Sequence, residues 1–250
     1  MLENIKKLAY GDFEVEYKPQ QQEVTDVKLI SYSTGIQNPD DDLLQLVAYC
    51  ARVSNPANQD SKETSEKLVR YLIKNQHWSP LEMVSVCLEI TTTRDIARQI
   101  LRHRSFSFQE FSQRYADPVK ELKFVLREAR RQDTKNRQNS IELDIQNDDA
   151  DRLLAYQWER MQENVINQAR DAYIWAIEKG IAKEQARAVL PEGLTESKLY
   201  MNGTLRSWIH YIQLRASNGT QKEHILIAKE CAKAITKIFP MAGEFVPTDS

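Results

Sequence analysis

Residues 82–115 read EMVSVCLEITTTRDIARQILRHRSFSFQEFSQRY, and this stretch decides the fold expected for the chain. From Glu82 to Thr93 apolar residues alternate with polar ones, which is the pattern of a half-buried strand. Thr93 can cap a following helix, whose buried stripe is formed by apolar positions between Ile96 and Leu101. A strand and a helix in direct succession therefore deliver residues 102–115 to one place in the fold.

Residues 102–115 concentrate positive charge in a chain whose formal net charge is only -2. The segment holds three arginines, one histidine and three serines beside a single carboxylate, Glu110. Guanidinium groups donate paired hydrogen bonds to neighbouring phosphate oxygens and stay charged at any working pH. Gln99 and Arg102, three residues apart on the preceding helix, point in one direction. The segment therefore predicts a site for a small anion, with Glu110 available to hold a ribose or a ring N–H.

Composition bounds the remaining choices. The chain has 250 residues, of which 41% are hydrophobic and 28% charged, enough for one large domain or two small ones. A nearly balanced charge gives no whole-protein attraction to nucleic acid or to a membrane. No apolar run approaches the length of a membrane span, and the first residues lack the pattern of a secretory signal. We therefore expect a cytoplasmic protein.

Cysteine usage indicates neither disulfides nor zinc. Cys50, Cys87 and Cys231 are odd in number, widely spaced and outside any CxxC pair. We expect three reduced thiols that are buried or partly buried.

The rest of the chain predicts an α+β fold in a single domain, residues 1–250, with a small, mostly antiparallel sheet and several long helices. Further strands are expected at Phe13–Tyr17, Val27–Tyr32 and Lys198–Asn202. Helices are expected at Asp40–Arg52, Ser61–Asn75, Asp149–Lys179, Ala182–Ala188, Thr204–Ala216 and Gln221–Ile238. Residues 123–126 fit a short strand or the start of a helix. The polar residues 130–152 are interpreted as an exposed insertion or loop.

The apolar faces of two expected helices predict which of their residues are buried. The inner face of the long helix is predicted to consist of Leu153, Leu154, Trp158, Met161, Val165 and Ile166. The stripe of the helix from Thr204 is predicted to consist of Leu205, Ile209, Ile212 and Ala216. Polar flanks of that stripe are Arg206, His210 and Gln213 on one edge and Thr204, Tyr211 and Arg215 on the other. A helix with two polar edges can serve two sites, which is easiest to understand if several subunits meet there.

The order of residues in 102–115 resembles the signature of the flavin-dependent thymidylate synthases: Arg-His-Arg, an amide followed by Glu110, then Ser-x-Arg-Tyr. The resemblance extends to His77-x-x-Pro80-x-Glu82, to ARAVLP at 186–191, and to Arg-Ser at 206–207 with Leu-Arg at 214–215. These four places follow the family's order between about residues 77 and 223. Departures are Met83, Gln109 and Gly219-Thr220, where other members often have His, Asn and His-Ala, and these affect contacts to flavin or folate.

The resemblance implies a methyltransferase that transfers a methylene group from methylenetetrahydrofolate to dUMP. Hydride from reduced FAD then gives dTMP, and NADPH reduces the flavin. The family's homotetramers place each site where several subunits meet. No metal, nucleic acid or membrane is implied.

Site residues follow from the same resemblance, position by position. The residues that match dUMP-binding positions are Gln99, Arg102, Glu110, Ser112, Arg114, Arg187 and Arg215. Among these, the phosphate is expected at Arg102, Ser112, Arg114 and Arg187. Arg215 is the expected catalytic residue, because a fixed cation beside N3 and its carbonyl stabilises negative charge as C5 becomes nucleophilic. The residues that match FAD-binding positions are Ser79, Arg102, His103, Arg104, Glu110, Thr204, Arg206 and His210, with His77 bordering flavin or folate.

Other interpretations of the same residues remain open. Ser112 is interpreted as a phosphate ligand in preference to a nucleophile, since no histidine stands at a motif spacing to serve as its base. Aromatic residues interleaved with the arginines also fit a nucleic-acid-binding module, and a helical scaffold with an incidental arginine cluster is a third alternative. Arg94 and Arg98 are expected on a solvated helix face, and His224 has no motif support. The tryptophans at 158, 175 and 208 are expected to be packing residues.

Overall fold

A four-stranded antiparallel sheet lies at the centre of the computed structural model, which describes residues 25–36 and 39–248. In spatial order its strands are β1 (Asp26–Tyr32), β2 (Ser85–Thr93), β6 (Glu196–Thr204) and β3 (Phe106–Glu110). β2 and β6 pair along their whole length, from Ser85 opposite Thr204 to Thr93 opposite Glu196. The predicted mostly antiparallel sheet is confirmed, while the strand expected at Phe13–Tyr17 lies outside the described residues.

The alternation in β2 is the reason it occupies the sheet interior. Val86, Leu88 and Ile90 are fully buried, and the residues between them are only partly covered. β6 alternates in the same way, with Leu199 and Met201 buried. Burying one such side chain contributes roughly 1.5–3 kcal/mol, so these two strands anchor the core.

Eight α-helices occur in the described ranges. They are α1 (Leu43–Ala51), α2 (Ser65–Lys74), α3 (Arg94–Ile100), α4 (Pro118–Glu121), α5 (Asp149–Glu178), α6 (Lys183–Ala186), α7 (Leu205–Arg215) and α8 (Lys222–Thr236). Short 3₁₀ turns occupy Arg52–Ser54, Pro56–Asn58, Ser79–Glu82, Arg187–Val189 and Pro240–Phe245. The mixed helix and sheet confirm the predicted class.

Helix α7 packs directly onto the sheet. All four residues of its predicted apolar stripe are buried, and Trp208, fully buried beside them, donates a hydrogen bond from Nε1 to the Val86 carbonyl at 2.9 Å. Thr204 caps the helix, since its Oγ1 accepts from the Ser207 backbone N–H at 3.3 Å. β6 therefore continues into α7 without an intervening loop, and the predicted helix is confirmed with its buried face.

The predicted inner face of α5 is largely wrong. The helix buries small or polar residues together with Ile166 and Tyr173, namely Ala155, Gln162, Ala169 and Ala176. Trp158, Met161 and Val165 are instead 44%, 63% and 49% exposed, and Leu154 and Trp175 are exposed too. The helix contacts the rest of the chain through the face that carries alanines, because small side chains allow close approach. The face with the large apolar side chains points outward. Of the three tryptophans expected to pack, Trp208 alone is buried.

Residues 130–152 form more structure than the expected loop. β4 (Arg130–Gln132) pairs with β5 (Ser140–Glu142) in a small antiparallel hairpin. Ion pairs fasten it to neighbouring helices, including Lys222 with Glu142 at 2.5 Å and Arg130 with Glu223. Ion pairs with residues far away in the sequence therefore order a segment that has little apolar periodicity. Nearby, Phe124 makes a single strand bridge with Thr195, which decides the open choice at 123–126 in favour of extended chain.

The start of α3 also differs from expectation. Thr93 occupies the cap position, but its hydroxyl bonds Asp95 at 2.5 Å and the Arg127 guanidinium, so it does not cap the helix. Arg94, expected in solvent, is only 7% exposed and bonds Glu192 at 3.4 Å. Its backbone N–H donates to the Thr195 carbonyl at 3.0 Å.

The three cysteines are free thiols, as expected, with Cys50 and Cys87 partly covered and Cys231 buried. Across residues 25–36 and 39–248, none of the helices is both long and apolar enough to cross a bilayer.

Gly203 tests the packing that joins β6 to β3. A Cβ at this position would lie 2.4 Å from Cδ1 of Phe106, whose ring packs edge to face on Trp208. Gly203→Ala should lower the free energy of unfolding by about 1–3 kcal/mol in urea denaturation, because the ring must move within a packed core. Gly243→Ala is the control, since its nearest new contact is 3.7 Å away. Equal losses for the two variants would contradict the packing argument.

Candidate functional site

The strand register brings three separate sequence motifs to one end of the sheet. Ser85 pairs with Thr204, and Phe106 pairs with Gly203. The turn before β2, the loop before β3 and the start of α7 consequently lie together. Hydrogen bonds close the arrangement: the Leu205 N–H donates to the Val84 carbonyl at 3.0 Å, and Ser207 Oγ donates to the Ser105 carbonyl at 3.3 Å.

The turn before β2 contacts one edge of α7. The Trp78 ring lies 4.6 Å from that of His210 in edge-to-face geometry, and Arg206 donates to Glu82 at 2.5 Å. Burial, followed by the nearby Arg206 charge, lowers the pKa of His210. His77 and Ser79 are exposed on the same turn, with the His77 ring 6.0 Å from that of Tyr71. Four predicted flavin positions, His77, Ser79, Arg206 and His210, thus share one surface.

The loop between α3 and β3 presents two exposed cations. Arg102 and Arg104 lie on either side of the half-buried His103. Within the described ranges, neither guanidinium has a hydrogen-bond or ion-pair partner. Most arginines elsewhere in the structure are paired, for example Arg70 with Glu244 at 2.6 Å. Two guanidinium groups without internal partners are a donor set that suits phosphate oxygens.

His103 connects this loop to Arg215 at the end of α7. Arg215 donates from Nε to His103 Nε2 at 2.8 Å, so that nitrogen must carry a lone pair and the imidazole must be neutral. Burial, and then the Arg215 charge, lowers the pKa of His103 to about 4. No described residue pairs with the two terminal nitrogens of Arg215. The guanidinium is therefore held through Nε, and the N–H groups of its two terminal nitrogens remain available to a ligand.

A second histidine, His224, lies behind this contact and was missed by the sequence interpretation. Its side chain is fully buried, and its ring bonds Tyr211 at 3.0 Å and the Gln99 Oε1 at 3.3 Å. Burial, and then the charge of Arg215, lowers its pKa to about 3. The available signal was its position: His224 lies at helical spacing with the apolar residues Ile227, Ala228 and Cys231 that α8 buries.

Glu110 ends β3 and is held within the protein. Its carboxylate accepts from Arg98 at 3.0 Å and from Ser197 Oγ at 2.9 Å, and the buried Arg94 lies 3.9 Å away. Arg98, placed on a solvated face by the sequence, is half exposed and pairs with Glu110. The carboxylate is thus oriented in advance for a predicted role toward dUMP or flavin.

The remaining predicted dUMP residues form a separate group around α6. Arg114 pairs with Glu184 at 3.3 Å, and Arg187 Nε donates to the Glu184 carbonyl at 3.4 Å. Ser112 Oγ accepts from the Arg114 backbone N–H at 3.4 Å. Among the described residues no histidine bonds Ser112, and its role as a phosphate ligand stays a prediction. Apart from Glu110, which ends β3, the predicted dUMP residues therefore divide into this group and the group of Gln99, Arg102 and Arg215.

The half-buried His103 and the fully buried His224 predict a pH dependence of stability. Their pKa values in the folded protein lie below the value of about 6.5 for an unfolded chain, so the unfolded chain binds more protons in mild acid. The stabilisation that the neutral histidines contribute should therefore be complete above about pH 6.5. Below that pH, the free energy of unfolding should fall as the pH drops toward about 4. Denaturant unfolding across this range should show a smaller fall for His224→Asn than for the wild type. An identical fall would remove His224 from this account.

Comparison with known proteins identifies the family of the chain. The sequence model of the family described as "Thymidylate synthase complementing protein" matches residues 28–241. A probable flavin-dependent thymidylate synthase of Paramecium bursaria Chlorella virus 1 is 46% identical over 213 residues, which cover 85% of this chain and 94% of the relative. A flavin-dependent thymidylate synthase of Synechocystis sp. is 49% identical over 195 residues, covering 78% of this chain and 85% of the relative.

A solved structure shares the fold. The UMP/dUMP methylase PolB from Streptomyces cacaoi, crystallised with 5-Br dUMP, superposes with a TM-score of 0.71 at 25% identity. The match covers 88% of this chain and 93% of PolB. The predicted family resemblance is confirmed by the family model and by relatives that are similar along most of their length. The chain therefore belongs to the flavin-dependent thymidylate synthase family.

Proposed function

We propose that this protein is an FAD-dependent methyltransferase that makes dTMP from dUMP, with methylenetetrahydrofolate as one-carbon donor and NADPH as reductant. The names of its relatives and the nucleotide bound to PolB support this activity. The observation that carries the proposal is the contact of Arg215 with the neutral His103 at 2.8 Å. It leaves the outer donors of a fixed guanidinium for a ligand.

Arg215 is proposed to act on the uracil ring. A cation fixed beside N3 and its adjacent carbonyl stabilises the negative charge that develops as C5 becomes nucleophilic. His103 makes this possible by accepting a hydrogen bond from the Arg215 Nε–H without adding a charge of its own. A protonated His103 would repel Arg215, and the depressed pKa of about 4 keeps the imidazole neutral at working pH.

The other dUMP contacts are proposed from the donor chemistry of the two groups. Arg102, Ser112, Arg114 and Arg187 are proposed to hold the phosphate, since guanidinium and hydroxyl groups match its oxygens. Gln99 and Glu110 are proposed to contact the nucleoside. Arg114 would exchange its exposed contact with Glu184, a pair that is worth little in water, for the phosphate.

The residues also fit FAD. Arg102, Arg104 and Arg206 supply cationic donors for a pyrophosphate, while Ser79 and Thr204 supply hydroxyls. His77, His103 and His210 add imidazoles, and Glu110 adds an acceptor for a ring or ribose donor. Reduced FAD supplies the hydride of the reaction when it is bound. Apart from Glu110, which lies at the other end of β3, these groups lie on the surface where the turn before β2, the loop before β3 and α7 meet.

Arg215→Ala tests the proposed activity. The wild type should purify with, or take up, FAD and form dTMP, whereas Arg215→Ala should lose at least about a hundredfold in turnover while binding FAD, because transition-state charge stabilisation is worth this much. Flavin absorbance and dTMP formation are measured together. Arg70→Ala, which breaks exposed ion pairs with Glu66 and Glu244 and contacts none of the proposed site residues, is the control. A colourless wild type that refuses FAD, or normal turnover by Arg215→Ala, would reject the assignment.

We further propose that the protein is a cytoplasmic homotetramer whose sites are shared between subunits. Three unpaired cysteines support a reducing compartment. The exposed apolar side of α5, with Trp158, Met161 and Val165, is unusual for a monomer and fits a subunit interface. The division of the dUMP residues into two groups supports the same arrangement, because one group can complete the site of another subunit.

Met161→Glu tests the proposed assembly. A carboxylate on the apolar side of α5 would be buried without a partner in the tetramer, so the variant should dissociate to smaller species. Light scattering after size-exclusion chromatography gives the mass. Asn167→Glu, an exposed substitution on another side of α5, should leave the mass unchanged. A wild-type monomer, or an intact tetramer of Met161→Glu, would exclude this interface.

A further inference from the structure

His224 is a fully buried imidazole close to the proposed dUMP site. It projects from α8 toward α3 and α7, and both of its ring nitrogens have polar neighbours. Nε2 lies 3.0 Å from the Tyr211 hydroxyl, and Nδ1 lies 3.3 Å from Oε1 of Gln99. A buried imidazole with two hydrogen bonds is costly to replace, because each lost partner leaves an unsatisfied polar atom.

The neighbours determine where the imidazole carries its proton. Oε1 of Gln99 can only accept, so Nδ1 of His224 must donate to it. Nε2 then holds a lone pair and accepts from the Tyr211 hydroxyl. Burial raises the pKa of Tyr211 well above its usual value, so that hydroxyl keeps its proton. The lowered pKa of His224 likewise keeps the ring neutral.

The direction of these bonds continues through Gln99. Its amide nitrogen donates a hydrogen bond to Oε1 of Gln221 at 2.8 Å. Each residue in the chain therefore donates to the next, from Tyr211 through His224 and Gln99 to Gln221. The side-chain carbonyl oxygen of Gln99 already accepts a hydrogen bond from the buried His224. An amide nitrogen has two hydrogens, and the second remains for a ligand. Gln99 therefore offers a ligand a donor and withholds its acceptor.

This polarity matters for a nucleotide. The phosphate, ribose ring and uracil carbonyl oxygens of dUMP are all acceptors, and a rotated Gln99 amide would place its own carbonyl oxygen against them. We propose that His224 is a positioning residue that locks the Gln99 amide with its N–H groups available to an acceptor oxygen of dUMP. This inference rests on the proposed function, because it assigns Gln99 to the dUMP site.

The variants separate positioning from stability. His224→Leu removes both hydrogen bonds and should raise the dissociation constant and KM for dUMP by about 5- to 20-fold, the loss expected for one well-placed hydrogen bond, with kcat changed less. His224→Asn keeps a donor on the side of Gln99 and should recover most of that affinity. Ile227→Ala, fully buried one turn along α8, should lower the thermal midpoint without raising KM.

The protonated nitrogen can be read independently of dUMP. Nitrogen-15 chemical shifts of His224 in the wild-type protein at neutral pH should show Nδ1 protonated and Nε2 unprotonated. The opposite tautomer would overturn the proposal, even if His224→Leu failed to fold. If the wild type binds dUMP but His224→Leu binds it with unchanged affinity, the lock is rejected while the proposed function stands. A wild type that does not bind dUMP rejects both.

Discussion

The pairing of β2 with β6 is the constraint on which the site depends. Both strands bury alternate apolar side chains, so a shift of one residue would turn each buried set toward the opposite face. The register is thus determined by the core, and it sets Ser85 opposite Thr204. β3 joins the same end with Phe106 opposite Gly203. Three motifs that are far apart in sequence therefore meet because the hydrophobic core permits one register.

Charge in this protein is divided between structural and available cations. Arg94 bonds the Glu192 carboxylate, while Arg127 bonds the Asp95 carboxylate and the Gly193 carbonyl, and these contacts stabilise the fold. Arg102 and Arg104, by contrast, are exposed and have no partner in the described part of the chain. A cation without an internal carboxylate is free to bind an anion without first breaking an ion pair. Arg215 lies between these cases, since neutral His103 holds it by one nitrogen only.

Helix α5 carries the apolar stripe that the sequence pattern indicates, but that stripe does not pack against the rest of its own chain. A stripe of large apolar residues on a helix indicates that this side is covered, but it does not state by what. In the single chain, α5 rests on Ala155, Ala169 and Ala176, and its bulky side remains exposed. The prediction failed because intramolecular packing was the assumed partner. The proposed interface between subunits would satisfy the same pattern.

The sequence by itself determined the features that depend on local periodicity. β2, the buried stripe of α7 and the family of the chain follow from residues near one another, because backbone geometry repeats every two or 3.6 residues. Tertiary structure alone decided the burial of Arg94, the hairpin at 130–142 and the bonds of His224 to Tyr211 and Gln99. Each depends on side chains brought together across long separations, and no local spacing encodes which neighbour a buried polar group will find.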